Sequence, residues 1–182
     1  MEWVLGVIMG VALAAACGFR VFIPMLVMSI AAHTGHLEPV AGFQWIGSWP
    51  CLVCFIIATV VETLAYFIPV VSNGLDTIAT PAASAAGTIL VASLIGDISP
   101  VLRWILAAIA GGAVAGSVQL TTVAARSVIT PVGGSGVIAV LEDGAAVVTS
   151  VLAVVAPIMA ILLIMVMAYL FLRRKQKLRL GI

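Results

Sequence analysis

The sequence predicts an all-α, polytopic transmembrane helix bundle of about five spans with broken helices, and three observations carry that prediction. Hydrophobic residues make up 64% of the 182 residues and charged residues 8%, against about 25% charged in a soluble domain. The mean hydropathy is +1.32, so there is too little polar surface to clothe a water-facing exterior. The apolar residues also fall into separate stretches, approximately 3–32, 50–71, 80–96, 101–126 and 144–172, most of them near the ~20 residues that a span requires. Polar, turn-forming segments divide them.

Taken in order, the first stretch is too long for one upright helix. Thirty residues at about 1.5 Å each reach roughly 45 Å, so it must tilt, protrude or break, and Gly18 and Pro24 mark the place. Its opening, Met1-Glu2-Trp3-Val4, lacks a basic leader, so the first segment is expected to remain in the mature protein. The connection 33–50 follows, with Trp45 and Trp49 suited to the interfacial belt. The turn sequences SNGLD (72–76) and GDISP (96–100) bound a short third stretch rich in small residues. Asp76 and Asp97 are read there as turn residues that cap the following helix. The Gly-rich link TPVGGSG (130–136) precedes the fifth stretch. Residues 1–172 are thus expected to form one transmembrane domain, and 173–182 a basic tail.

Five of the eight basic residues lie in RRKQKLR, Arg173 to Arg179, leaving three arginines and seven acidic residues upstream, a net of −4. By the positive-inside rule the C-terminus is expected in the cytoplasm, near anionic headgroups, and after five spans the N-terminus outside. The bilayer is the expected partner. No nucleic-acid-binding pattern is present.

Residues 6–24, GVIMGVALAAACGFRVFIP, align without a gap on the segment beginning at 112, GAVAGSVQLTTVAARSVITP. Gly6 meets Gly112, Gly10 meets Gly116 and Arg20 meets Arg126, and a proline follows each arginine, Pro24 and Pro131. Glu62 and Glu142 correspond further along. With two segments between them, the matched helices should run in opposite directions, an inverted repeat with halves 1–96 and 100–172, as secondary transporters use. The GxxxG pairs suit close helix packing, inside one chain or between copies. A homo-oligomer is expected, because five spans are few to enclose a pathway.

An arginine at mid-membrane depth costs roughly 3 kcal/mol or more, so Arg20 and Arg126 need partners. Glu62 lies at a depth suited to Arg20, while Glu142 and Asp143 follow Arg126 across the Gly-rich link. Pro24 deprives the Arg20 carbonyl of its helical donor, and Pro131 does the same to Ser127. These residues form the candidate ion- or substrate-binding set. Cys51 and Cys54 make a CxxC, read as small helix residues rather than a redox pair. His33, His36 and Glu38 lie around Gly35 in a turn, read as solvated rather than metal-binding. No catalytic residue, metal or cofactor is assigned.

The chain resembles the membrane-protein family known as domain of unknown function 4126. The resemblance rests on Gly18-Phe19-Arg20 with Pro24, on Glu62 followed by Ile68-Pro69 and Asp76, and on Pro81 with Gly87. It continues through GDISP and EDGAAVVTSVLAVVAP from Glu142. It implies a bacterial inner-membrane protein and no particular activity. Tyr66-Phe67 stands where the resemblance leads one to expect charge, which argues against a polar role at that end of the second segment. The leading expectation is a small channel or transporter for an ion or anionic small molecule. The alternatives are a non-catalytic scaffold held by structural ion pairs, and a lipid- or quinone-handling redox protein.

Overall fold

The computed structural model describes residues 2–129, 135–157, 159–167 and 169. Pro131 and the basic tail lie outside them. The described chain is a helix bundle without strands. Its elements are α1 (Glu2–Cys17), α2 (Phe22–His33), α3 (Trp49–Tyr66), α4 (Pro69–Leu94), α5 (Pro100–Ala107), α6 (Ala113–Ile129) and α7 (Ser135–Val155). A π-helical turn, Ala108–Gly112, joins α5 to α6 without interrupting the rod. Four of these stretches are long and apolar enough to cross a membrane: Trp49–Tyr66, Val70–Leu94, Pro100–Val128 and Gly136–Val155.

The first segment does break, but it does not cross. α1 passes antiparallel to α4: Gly6 lies against the Leu94 backbone and Gly10 against Val91, with Ala14 near Gly87. After a turn at 18–21 the chain doubles back. Phe22 starts beside Glu62, Met28 reaches Ser93 (Sδ to Oγ 3.6 Å), and His33 ends stacked on Trp49. α1 and α2 are therefore the two arms of a re-entrant hairpin, and Arg20 sits at its tip. Pro24 is the third residue of α2, where its missing N–H would have no intrahelical acceptor. It starts a helix instead of breaking one, and the Arg20 carbonyl lies outside any helix.

That hairpin overturns the inverted repeat. A first segment that returns to its side of entry adds no crossing, so the parity of every later helix changes. α6 therefore runs in the same direction as α1. Gly18 packs on Ala115 and Val118, and Thr122 Oγ1 donates to the Gly18 carbonyl at 3.1 Å. The matched GxxxG pairs flank one helix, α4, from two sides. A Cβ on Gly6 would lie 2.5 Å from the Leu94 oxygen, one on Gly112 2.6 Å from Thr88 Oγ1, and one on Gly116 2.5 Å from Ser84 Oγ. Both pairs are thus used inside the chain. The likeness of the two segments follows from their common task of approaching α4 closely.

Two further boundaries differ from expectation. α4 begins at Pro69, directly after Phe67-Ile68, so SNGLD is helical and Asp76 lies two turns inside α4. These residues form the second turn of α4, with Asn73 and Gly74 on its exposed side. The last apolar stretch divides at Ala156-Pro157, and residues 159–167 fold back along α7, with Leu163 and Met167 lining one cleft with Val148 and Gly144. At GDISP a turn forms as expected, with Asp97 at φ 55°. The cap of α5 is Ser99, which accepts from Leu102 N.

The core is made of small side chains. Ala12 through Cys17 are all buried, as expected of a helix apolar on every face. Trp45, Trp49 and Trp104 gather at the end where the hairpin enters, Trp104 tilted on Phe43 and all three substantially exposed. The tightest approach is Gly111 on Gly87, where an added Cβ would lie 2.2 Å from the Gly87 carbonyl oxygen. Because backbone is the obstacle, Gly111→Ala should destabilise by about 1–3 kcal/mol. Gly144→Ala, with nothing within 4 Å, should stabilise by up to about 1 kcal/mol. Thermal unfolding in detergent, followed by size-exclusion elution, checks both signs.

Candidate functional site

The hairpin tip brings together charges from four other helices. Arg20 projects from the turn, Glu62 and Tyr66 stand one helical turn apart on α3, and Asp76 comes from α4. Arg126 comes from α6, and Glu142 with Asp143 from α7. Arg20 is 1% exposed, Arg126 6% and Glu142 7%, so this is a buried ionic cluster.

Glu142 is its centre. Arg126 Nε donates to Glu142 Oε1 and Oε2 at 2.8 and 2.9 Å, and Arg126 Nη1 donates to Asp76 Oδ1. Arg20 Nε donates to Asp143 Oδ1 at 2.5 Å, and its Nη2 to the Ala139 carbonyl at 3.3 Å. Arg20 Nη1 and Arg126 Nη2 face Glu142 Oε2 at 3.2 and 2.6 Å, as charges in contact without hydrogen-bond alignment. Tyr66 completes the arrangement: the guanidinium carbons of Arg20 and Arg126 lie 3.9 and 4.2 Å from its ring centre. Such desolvated cation–π contacts are worth roughly 2 kcal/mol.

Glu62 has a different task from the one expected. Its two carboxylate oxygens accept from the backbone N–H groups of Val21 and Phe22 at 2.9 and 3.0 Å. It caps the N-terminus of α2, where unpaired donors and the helix dipole favour a negative charge. A hairpin that turns inside the bundle must satisfy these donors there, since hydrocarbon offers none.

Of the expected pairs, Arg126 with Glu142 is present. Arg20 pairs with Asp143 and Glu142 in place of Glu62, because the returning arm α2 lies against α3 and claims that carboxylate. Sequence reading missed Asp76 and Tyr66. The signal for Asp76 was its place seven residues after Pro69, given a helix beginning there. The signal for Tyr66 was its i+4 spacing from Glu62. The polar role denied to Tyr66-Phe67 is held by Tyr66. Elsewhere, His33 Nδ1 bonds the Gly47 carbonyl at 2.8 Å, His36 Nδ1 meets Thr34 Oγ1, and Cys17, Cys51 and Cys54 are free thiols.

Two cations therefore face four carboxylates: Arg20 and Arg126 against Glu62, Asp76, Glu142 and Asp143. With every group ionised the cluster carries −2, in surroundings where uncompensated charge is costly. Both guanidiniums face protein carboxylates, each keeping one Nη donor without a hydrogen-bond partner. Beside the cluster, α3 and α4 diverge around a cleft of about 480 Å³, lined among others by Phe22, Cys54, Ala58, Glu62, Tyr66 and Ala82.

A family model described as "Domain of unknown function (DUF4126)" matches residues 7–177, nearly the whole chain. No curated protein and no solved structure matches the chain.

Breaking the cluster on one side should cost more than removing a pair. Arg126→Gln leaves Glu142 and Asp76 uncompensated and should lose about 3–5 kcal/mol, whereas Arg126→Gln with Asp76→Asn should recover part of that loss. Tyr66→Leu should lose about 2 kcal/mol. Thermal stability of these three variants against the parent protein in detergent checks the order.

Proposed function

Since the chain belongs to the family described as domain of unknown function 4126, whose membership assigns no activity, we propose from the geometry that this multi-pass membrane protein is a proton-linked transporter of small solutes. The observation that carries the reading is the surplus of two carboxylates over arginines at the tip of a re-entrant hairpin. Glu142 is buried and Glu62, Asp76 and Asp143 are half-buried; intramembrane carboxylates in excess of their counter-charges favour uptake of protons or cations, and such groups mark relays in pumps and transporters. The arginines then act as fixed counter-charges, and the anion-binding role anticipated for them falls away. The enclosed cluster corresponds to an occluded state. In this reading the basic tail keeps its end of the chain cytoplasmic.

A structural clasp is the second reading, favoured by the burial of Arg20 among Asp143, Glu142 and the Ala139 carbonyl. Reconstituted vesicles separate the two. Under an imposed pH gradient, with an internal pH dye and a panel of inorganic and organic ions, at least one ion should speed proton movement over empty vesicles. Asp143→Asn should slow that movement by roughly tenfold, about 1.4 kcal/mol on the barrier. If no ion moves protons, and Arg20→Gln with Asp143→Asn restores the native elution that either single change loses, the cluster is a clasp.

A further inference from the structure

The cleft between α3 and α4 combines two features that rarely occur together. Its walls are apolar: Ile57, Val61 and Ile78 line it and are also exposed on the outside of the bundle, so it opens toward the lipid. Its lining also includes Glu62, with Phe22 and Tyr66. At about 480 Å³ it lies within the range of small-molecule sites, which run from roughly 300 to 1,000 Å³. Each Glu62 oxygen accepts one backbone N–H and keeps a second lone-pair direction unused.

We infer that this cleft is the substrate site of the proposed transporter, and that it admits lipophilic organic cations from the bilayer in exchange for protons. The inference rests on the proton-linked reading above and names its substrate class. Charge complementarity selects the occupant. The site adjoins a cluster with two more carboxylates than arginines, so an anion would be repelled and a neutral hydrocarbon would leave that surplus unanswered. A monovalent cation bound beside Glu62 replaces one proton, which leaves to water, and the local charge is unchanged by the exchange. The groups acting on Glu62 are Arg20 and Cys17 of the hairpin, Tyr66 on its own helix and Asp143 of α7. Asp76 of α4 is joined to them through Arg126 and Tyr66.

Tetraphenylphosphonium is a suitable probe, with tetraphenylborate as the anion of matching shape. The purified full chain in detergent should bind the phosphonium saturably and release protons into weakly buffered solution, while the borate should not compete. Glu62→Gln should weaken phosphonium binding by roughly tenfold or more and abolish proton release. Because Glu62 also caps α2, Ala58→Phe and Ala82→Phe supply a second arm: they fill the cleft without altering charge and should block binding in protein that elutes as native. Equal binding of both ions, binding indifferent to Glu62→Gln and to both phenylalanine variants, or no binding at all would overturn the inference. So would cross-links placing a second copy's helix in the cleft. Proton movement driven by other ions in vesicles would survive such a failure, which keeps this inference separable from the reading beneath it.

Discussion

Two guanidinium groups must be kept charged inside a bundle that has almost no other charge to spare, and most of the architecture follows from that constraint. Arg20 and Arg126 are both buried in the bundle, so each requires a carboxylate brought by another helix. Glu142 serves both, which fixes α7 against the hairpin tip and the end of α6 at once. Asp143 and Asp76 each accept one further donor, and Tyr66 places its ring against both guanidiniums. The cluster is satisfied only when five separate parts of the chain have arrived.

The glycine pattern is the complement of this ionic centre. α4 packs against both α1 and α6; its backbone is approached by Gly6, Gly10 and Gly111, with Gly87 on α4 itself, while Gly112 and Gly116 make room for the hydroxyls of Thr88 and Ser84. Thin packing there brings the ends of α1, α4 and α6 close enough for arginine and aspartate to touch. Bulkier residues along α4 would separate the charges as well as the helices. Packing and electrostatics are thus one design, since lipid provides no hydrophobic drive to press helices together.

The membrane character, the break near Gly18, the importance of both arginines and the Arg126–Glu142 pair were all legible in the residues. What misled was parity. Nothing in CGFRVFIP distinguishes a kinked span from a chain that turns back, because both need a glycine, a polar tip and a nearby proline. Reading a span there made the likeness of residues 6–24 to the segment from 112 look like an inverted repeat, whereas the two helices run parallel to each other and both pack antiparallel on α4. The SNGLD segment misled for a related reason: serine, asparagine and glycine mark turns in water, but here they lie in the first turns of α4, where Asp76 meets Arg126. Tyr66 was hidden because its contribution is a ring face, which no charge pattern reveals.

The hairpin tip also constrains how the molecule is made. Arg20 precedes its partner Asp143 by 123 positions along the chain. Until α7 is synthesised, the guanidinium has no partner in its final place, and the short arms α1 and α2 cannot hold a membrane position as a spanning helix would. The hairpin is therefore made before the helix that completes it, and its tip gains its carboxylates only when α7 arrives.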